Sequence, residues 1–435
     1  MKKYYIKQSL MVLCVFLFHI VKAQVPTFNA KGLVLLSDAD MAASTLSDGL
    51  ILKDKTAKDQ VCFIKLPLSN TFNDEIKCLP ASNSLFGMAK CLAISKNGKL
   101  AYIAESRGTI SDGQDTLKNI PADIPAGSYI TALDLSDISQ PKLLFKIPVG
   151  KNPMALSISP DNQYLAVCTE DYGKELQFFE LDGNGKPLRV INKPATMPSG
   201  RISDVTWHPS GDYLAFTAED YRQVGIIKFV KDGPTKQIIR AEILGNAIRV
   251  GNFPSTGEFT PDGKYYLVLD LKKGEDAPSE MGYDGKGEVF VMKMNYEGTG
   301  EHFLLSRTKV SENPKSITVS PDNKTILVVN TLKSGLPWMD KAFSNKSSIS
   351  ILNLSDDGII ANRGEYLFEG ILSKSIAFDT TGENFVTSVF EYQSYGKHYG
   401  GLEFWQIRGG VNPSLVKQNT RIFLPRGTHT VQIIR

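Results

Sequence analysis

Tryptophan, cysteine and histidine are scarce in this chain: three, five and five among 435 residues. The histidines beyond the first segment, His208, His302, His398 and His429, lack metal-ligand spacing. No zinc-type His-Glu-x-x-His, no Gly-x-Ser-x-Gly elbow and no phosphate-cradling glycine loop occurs, so no local motif announces a chemistry. No metal and no cofactor is expected. Helical periodicity is nearly absent, which points to an all-β chain. Basic residues form no concentrated surface run, so nucleic acid is not an expected partner.

Long apolar runs are also missing, with one exception at the start. "MKKYYIKQSLMVLCVFLFHIVKAQ" places Lys2, Lys3 and Lys7 before an apolar run of about a dozen residues, with small or aliphatic residues at Val21 and Ala23. Residues 1–23 therefore read as a secretory signal, too short for a comfortable membrane span. Residues 24–435 are expected to be exported, to the periplasm or beyond, with no membrane span. Removing the signal takes four lysines and no acid, and the formal charge falls from +3 to −1. An oxidising compartment permits disulfides, but a chain this long can bury a core without them. Cys91 and Cys168 sit in apolar strand patterns and read as buried thiols; Cys62–Cys78 is the one pairing to test.

What the chain does contain is repetition. Six segments share an alternating strand, a Pro-Asp-Gly-like turn and a second strand: "CLAISKNGKLAYIAES", "ALSISPDNQYLAVCTED", "DVTWHPSGDYLAFTAED", "TGEFTPDGKYYLVLDL", "SITVSPDNKTILVVNT" and "SIAFDTTGENFVTSVFE". Lys96, Pro160, Pro209, Pro261, Pro321 and Thr380 hold equivalent turn positions, 49 to 64 residues apart. Each unit then supplies two more strands, giving four antiparallel strands in about 50 residues, the pattern of a propeller blade. Three strands in front ("GLVLLSD", "QVCFIKLPL", "DEIKCLPA") and the last ten residues, "RGTHTVQIIR", complete one further blade. The expected fold is an all-β, seven-bladed propeller, closed by three N-terminal strands plus one C-terminal strand. Closure pairs edges that an open array would expose.

"SPDNKTILVVNTLKSG" resembles the YVTN-type repeat. The whole chain beyond residue 23 resembles the lactonase-like seven-bladed propellers, which include 6-phosphogluconolactonase-like and carboxymuconate-cyclase-like proteins. The motifs that carry the likeness are structural. Ser-Lys-Asn-Gly, His-Pro-Ser-Gly and Asp-Thr-Thr-Gly depart from the repeat at three turns. The Gly-His…Trp-Asp of WD40 repeats and the paired glycines of kelch are absent, and three tryptophans are too few for quinoprotein docking motifs.

Numbering the composite blade as one, the links between second and third strands are tight in blades three and four. They are long in blades two, five, six ("LKSGLPWMDKAFSNK") and seven ("YQSYGKHYG"). Long loops on one face of a rigid scaffold are where binding is usually built. Aligning the inner strands makes Lys90, Met154, Ser203, Ser255, Lys315, Lys374 and His429 equivalent, with Arg201 two positions before its strand's counterpart. Lys90, Arg201, Lys315, Lys374 and His429 would converge on one opening and attract a carboxylate or phosphate. Glu105, Glu170, Glu219, Asp270 and Glu391 lie near the second-strand ends, either joining a ligand site or pairing with those cations. Glu258 stands inside the inner strand of blade five, among small or neutral counterparts. It is either a general acid or base with a raised pKa or a buried glutamate hydrogen-bonded to Thr206 or Thr256. Glu275, Asp276, Glu280 and Asp284 fit no known calcium loop and read as an acidic lid.

Two functions follow. One is a lactone hydrolase or cyclase: Arg201 and the lysines hold a small anionic molecule while Glu258 or His429 moves a proton. The other is a non-catalytic exported propeller that binds an extracellular protein or glycan through upper loops carrying Trp338, Phe343, Tyr392, Tyr395, His398 and Tyr399. A redox or cofactor-bearing role has no support in the cysteine and tryptophan pattern.

Overall fold

The computed structural model describes residues 25–52, 58–68, 75–111, 114–271, 286–298, 300–394, 397–410 and 413–435. The expected signal segment, the acidic stretch from Glu275 to Asp284, Tyr395 and the side chain of His398 lie outside the described residues.

The turns explain the strands. In each of the six repeat turns the fourth residue has a left-handed backbone: Gly98, Asn162, Gly211, Gly263, Asn323 and Gly382, with φ from 64° to 76°. Glycine and asparagine are the residues that adopt this conformation readily. The first residue locks the turn from the other side. Ser95, Ser159, Thr260 and Ser320 each accept the backbone N–H five residues on, at 2.9 to 3.0 Å. Where the motif departs, the substitute does related work: Asp379 Oδ1 accepts from the Gly382 N–H at 2.9 Å, and His208 Nδ1 accepts from the Ser210 N–H at 3.1 Å.

Strands leaving these turns build seven four-stranded antiparallel sheets among the described residues. The second strands, such as Tyr164–Thr169 and Tyr265–Asp270, are buried along their whole length, as expected where apolar side chains on both faces pack against neighbouring blades. The outermost strands, such as Lys142–Pro148, are mostly exposed. Apolar clusters lie between successive blades; one joins Val34 and Phe63 of blade one to Tyr102 and Ile130 of blade two and Leu156 of blade three. Blade one is the composite: Gly32–Ser37, Gln60–Lys65 and Ile76–Pro80 join the last strand, Thr428–Ile434, which forms its inner edge. Leu33 pairs with Ile433 and Leu35 with Val431. Cys62 and Cys78 face each other across its second and third strands and are bridged. Cys91 and Cys168 are buried free thiols.

Candidate functional site

The inner strands line an axial channel that holds two cavities. The upper one, about 90 Å³, is lined by the first residues of the inner strands and the links above them. The lower one, about 340 Å³, is lined by the later residues of the same strands.

The upper cavity brings together three of the five expected cations. Arg201, Lys315 and Lys374 line it, with Glu219 as the carboxylate among the lining residues, and Leu46, Leu85 and Phe86 form an apolar wall. Arg201 is pinned from two sides. Its backbone N–H donates to Asp220 Oδ2 at 2.7 Å, and its guanidinium lies 3.5 Å from both Glu219 and Glu170. Lys374 is buried and donates to the carbonyls of Leu85 and Gly87, so its ammonium is fixed in the wall.

Lys90 and His429 do not join that rim. Lys90 turns down the channel and donates to Asp204 Oδ2 at 3.0 Å, to Thr206 Oγ1 and to the Gly257 carbonyl. Its partner Asp204 is fully buried, and burial pushes that carboxyl up while Lys90 opposes the shift. His429 is 1 % exposed. Its Nε2 is 2.8 Å from Asn83 Oδ1 and its Nδ1 3.0 Å from Thr430 Oγ1. Burial, reinforced by nearby Lys374, lowers its pKa far below the ordinary range, so the ring is neutral. The expected five-cation ring is therefore corrected to three. The physical reason is local: buried Asp204 and the Gly257 carbonyl draw Lys90 down the channel. His429 falls where the pairing of Leu36 with Thr430 and of Ser37 with Thr428 skips a residue, and such a bulge re-aims a side chain that a linear alignment treats as equivalent.

Glu258 lines the lower cavity with Lys90, Thr206, Gln432 and Arg435. Burial pushes its carboxyl up to about 7, against the pull of Lys90 and Arg435. The remaining acids are mostly committed. Glu170 accepts from Arg107 and Asn152, each at 2.9 Å. Glu105 accepts from the Ser128 N–H at 3.3 Å. Asp270 is buried and accepts the N–H groups of Asn252 and Phe253 at 3.1 and 2.7 Å. Glu391 sits where its backbone bridges to Ile371.

No protein-family profile matches the chain, and no curated protein does. Solved structures do. A candidate 6-phosphogluconolactonase from Bacteroides uniformis superposes with a TM-score of 0.58 at 15% identity, covering 93% of this chain and 100% of its own. The periplasmic gluconolactonase of Pseudomonas aeruginosa gives 0.59 at 14%, covering 93% and 99%. This chain has the lactonase-like seven-bladed propeller fold. A hypothetical selenium-binding protein from Sulfolobus tokodaii matches with a TM-score of 0.59 at 9% identity over 93% and 94%, so the likeness of this propeller extends to differently named proteins and speaks for fold rather than chemistry.

Sequence reasoning missed Asp204, the counter-charge that removes Lys90 from the channel's upper mouth. Its signal was present: an acid within "ISDVTW", an inner strand whose other members are apolar or small. It also missed the upper cavity's apolar wall, because Leu46 and Leu85 come from the links of blade one. Among the described residues, no helix is long and apolar enough to cross a membrane.

Proposed function

We propose that this propeller is an exported protein that binds a small anionic molecule, of the sugar-acid or sugar-lactone class, in the upper cavity. The observation that carries the reading is the meeting of Arg201, Lys315 and Lys374 with one lining carboxylate, Glu219, on the axis of the channel. Low-dielectric walls strengthen the field of such a cluster, and a planar guanidinium suits a carboxylate or phosphate. Lactones are the substrate class in the names of the Bacteroides and Pseudomonas proteins, and a hydrolytic step fits the same cavity. Water attacks the lactone carbonyl and Glu219 takes its proton. The ring C–O bond breaks, the proton passes to the departing alkoxide, the carboxylic acid so formed releases its remaining proton to solvent, and the cations hold the resulting carboxylate. The proton-transfer role expected of Glu258 thus passes to Glu219, because Glu258 opens on the lower cavity.

A panel of sugar lactones tests this. Wild-type protein should accelerate their hydrolysis, Arg201→Ala should lower kcat/KM by about tenfold or more, since a charge-assisted hydrogen bond contributes about 1.5–3 kcal/mol, and Glu258→Gln should leave it within about twofold. Loss on Glu258→Gln with retention on Arg201→Ala would assign the chemistry to the lower cavity.

One observation favours a second reading. Trp338 and Met339, on the blade-six link, are 72% and 77% exposed, as contact residues for a protein or glycan would be. Retention of a glycan or protein on an array, lost on Trp338→Ala, with no lactone turnover, would establish it.

A further inference from the structure

Three carboxylates meet at the upper end of blade one. Asp38 follows the last residue of the strand Gly32–Ser37, and Asp59 precedes the first residue of Gln60–Lys65. Ser37 pairs with Gln60, so one more rung of the same register sets Asp38 opposite Asp59. Asp40 joins them: one oxygen from each of the three carboxylates lies within 4.8 Å of the other two. Like charges directly across an antiparallel pair are destabilising. Asp38 is also 1 % exposed, where water cannot relieve the repulsion.

A second observation concerns the hydrogen bonding of Asp38. Its Oδ2 accepts the Leu85 N–H at 2.6 Å, but its Oδ1, shut off from solvent, meets no donor. Buried carboxylate oxygens are rarely left so, and an unmet one marks a missing partner. The backbone holds the group in place. The Asp38 N–H donates to the Gly427 carbonyl at 3.0 Å, and Asp59 Oδ1 accepts the Ala39 N–H at 3.1 Å. Gly427 has a φ of 90°, and a Cβ on it would fall 1.9 Å from the Asp38 carbonyl oxygen, so the two backbones lie in close contact there.

We infer that Asp38, Asp40 and Asp59 form a binding site for a hard divalent cation, and specifically for calcium. The donor set is oxygen alone, without imidazole or thiolate, which selects against zinc, copper and iron. Three carboxylates exceed the charge of one divalent ion and leave room for the carbonyl and water ligands that calcium's six to eight positions accept. The site is not the acidic stretch from Glu275 to Asp284. Asp38 and Asp59 are 21 residues apart in sequence and become neighbours only through strand pairing. Leu85 connects the cluster to the upper cavity: its N–H is held by Asp38 and its carbonyl by Lys374. An ion here would therefore fix one wall of that cavity.

The alternative occupant is a proton shared among the oxygens, and the test separates the two. Purified protein stripped with a chelator is titrated with calcium chloride in a calorimeter at neutral pH, with magnesium chloride in parallel. The expected dissociation constant is on the order of 10⁻⁴–10⁻³ M. At 10 mM, calcium should then raise Tm by roughly 2–3 °C. The double variant Asp40→Asn/Asp59→Asn should lose that response. Its calcium-free Tm should match or exceed that of the wild type, because the repulsion is gone, and this also shows that the variant is folded. Absence of heat and of a Tm shift in the wild type would overturn the proposal. So would an undiminished calcium response in the double variant, and a larger response to magnesium than to calcium would overturn the choice of ion.

Discussion

Replacing Glu258 by glutamine should change how stability depends on pH in a way that can be worked from the structure. Burial raises its carboxyl from an ordinary value of 4.5 to about 7, with Lys90 and Arg435 opposing. The folded protein keeps this proton to about pH 7, whereas the unfolded chain releases it near 4.5. Between those values the native state binds more protons than the unfolded state, so raising the pH through the window lowers stability. At about 1.4 kcal/mol per unit, the destabilisation that Glu258 contributes above pH 7 is about 3 kcal/mol, and below pH 4.5 it vanishes. Glutamine keeps the shape and cannot ionise. The variant should therefore match the wild type at pH 4 and exceed it at pH 8 by about 3 kcal/mol, which for a chain of this length is roughly 3–4 °C in Tm. Thermal or urea melts of both proteins from pH 4 to 8 measure the difference, and subtracting the two curves cancels the titrating groups that do not face Glu258. Parallel curves would refute the reasoning: Glu258 would then be ionised in the folded state at an ordinary pKa, with the lower cavity well hydrated around it.

Deleting residues 428–435 removes the inner strand of blade one, including the pairs Leu33–Ile433 and Leu35–Val431; cooperative unfolding should be lost, and a truncated protein that melts like the intact one would contradict ring closure. Asp204→Ala strands the Lys90 ammonium inside the channel and should destabilise by about 3–5 kcal/mol, whereas Lys90→Met combined with Asp204→Leu should be close to neutral; denaturant titration of both variants checks this. Cys62→Ser should lower stability by about 2–4 kcal/mol, measured by urea unfolding, and a reducing agent should have the same effect on the wild type and none on the variant.

The fold was legible because six blades state their turn twice over, in a left-handed fourth residue and a first residue whose side chain accepts a backbone N–H, so even the departures at Asp379 and His208 keep the geometry. Closure was legible because "RGTHTVQIIR" repeats an inner strand with no partner of its own. The site was legible only in part. Arg201, Lys315 and Lys374 meet as their register implies, but the hidden charge of Asp204 takes Lys90 elsewhere. His429 is satisfied by Asn83, a contact across 346 residues that no local pattern displays. The Asp38, Asp40 and Asp59 cluster escapes a reading by motif for the same reason, since Asp59 joins Asp38 and Asp40 through pairing rather than spacing.

The central functional claim is that the cations of the upper cavity bind a small anion. Calorimetric titration of wild-type protein and of Arg201→Ala/Lys315→Ala with 6-phosphogluconate, at low and high ionic strength, tests it most directly. The account predicts measurable binding by the wild type that weakens as salt rises and is lost in the double variant, with Glu258→Gln binding as the wild type does. Equal affinity in the wild type and the double variant, or no binding by either at low salt, would contradict it.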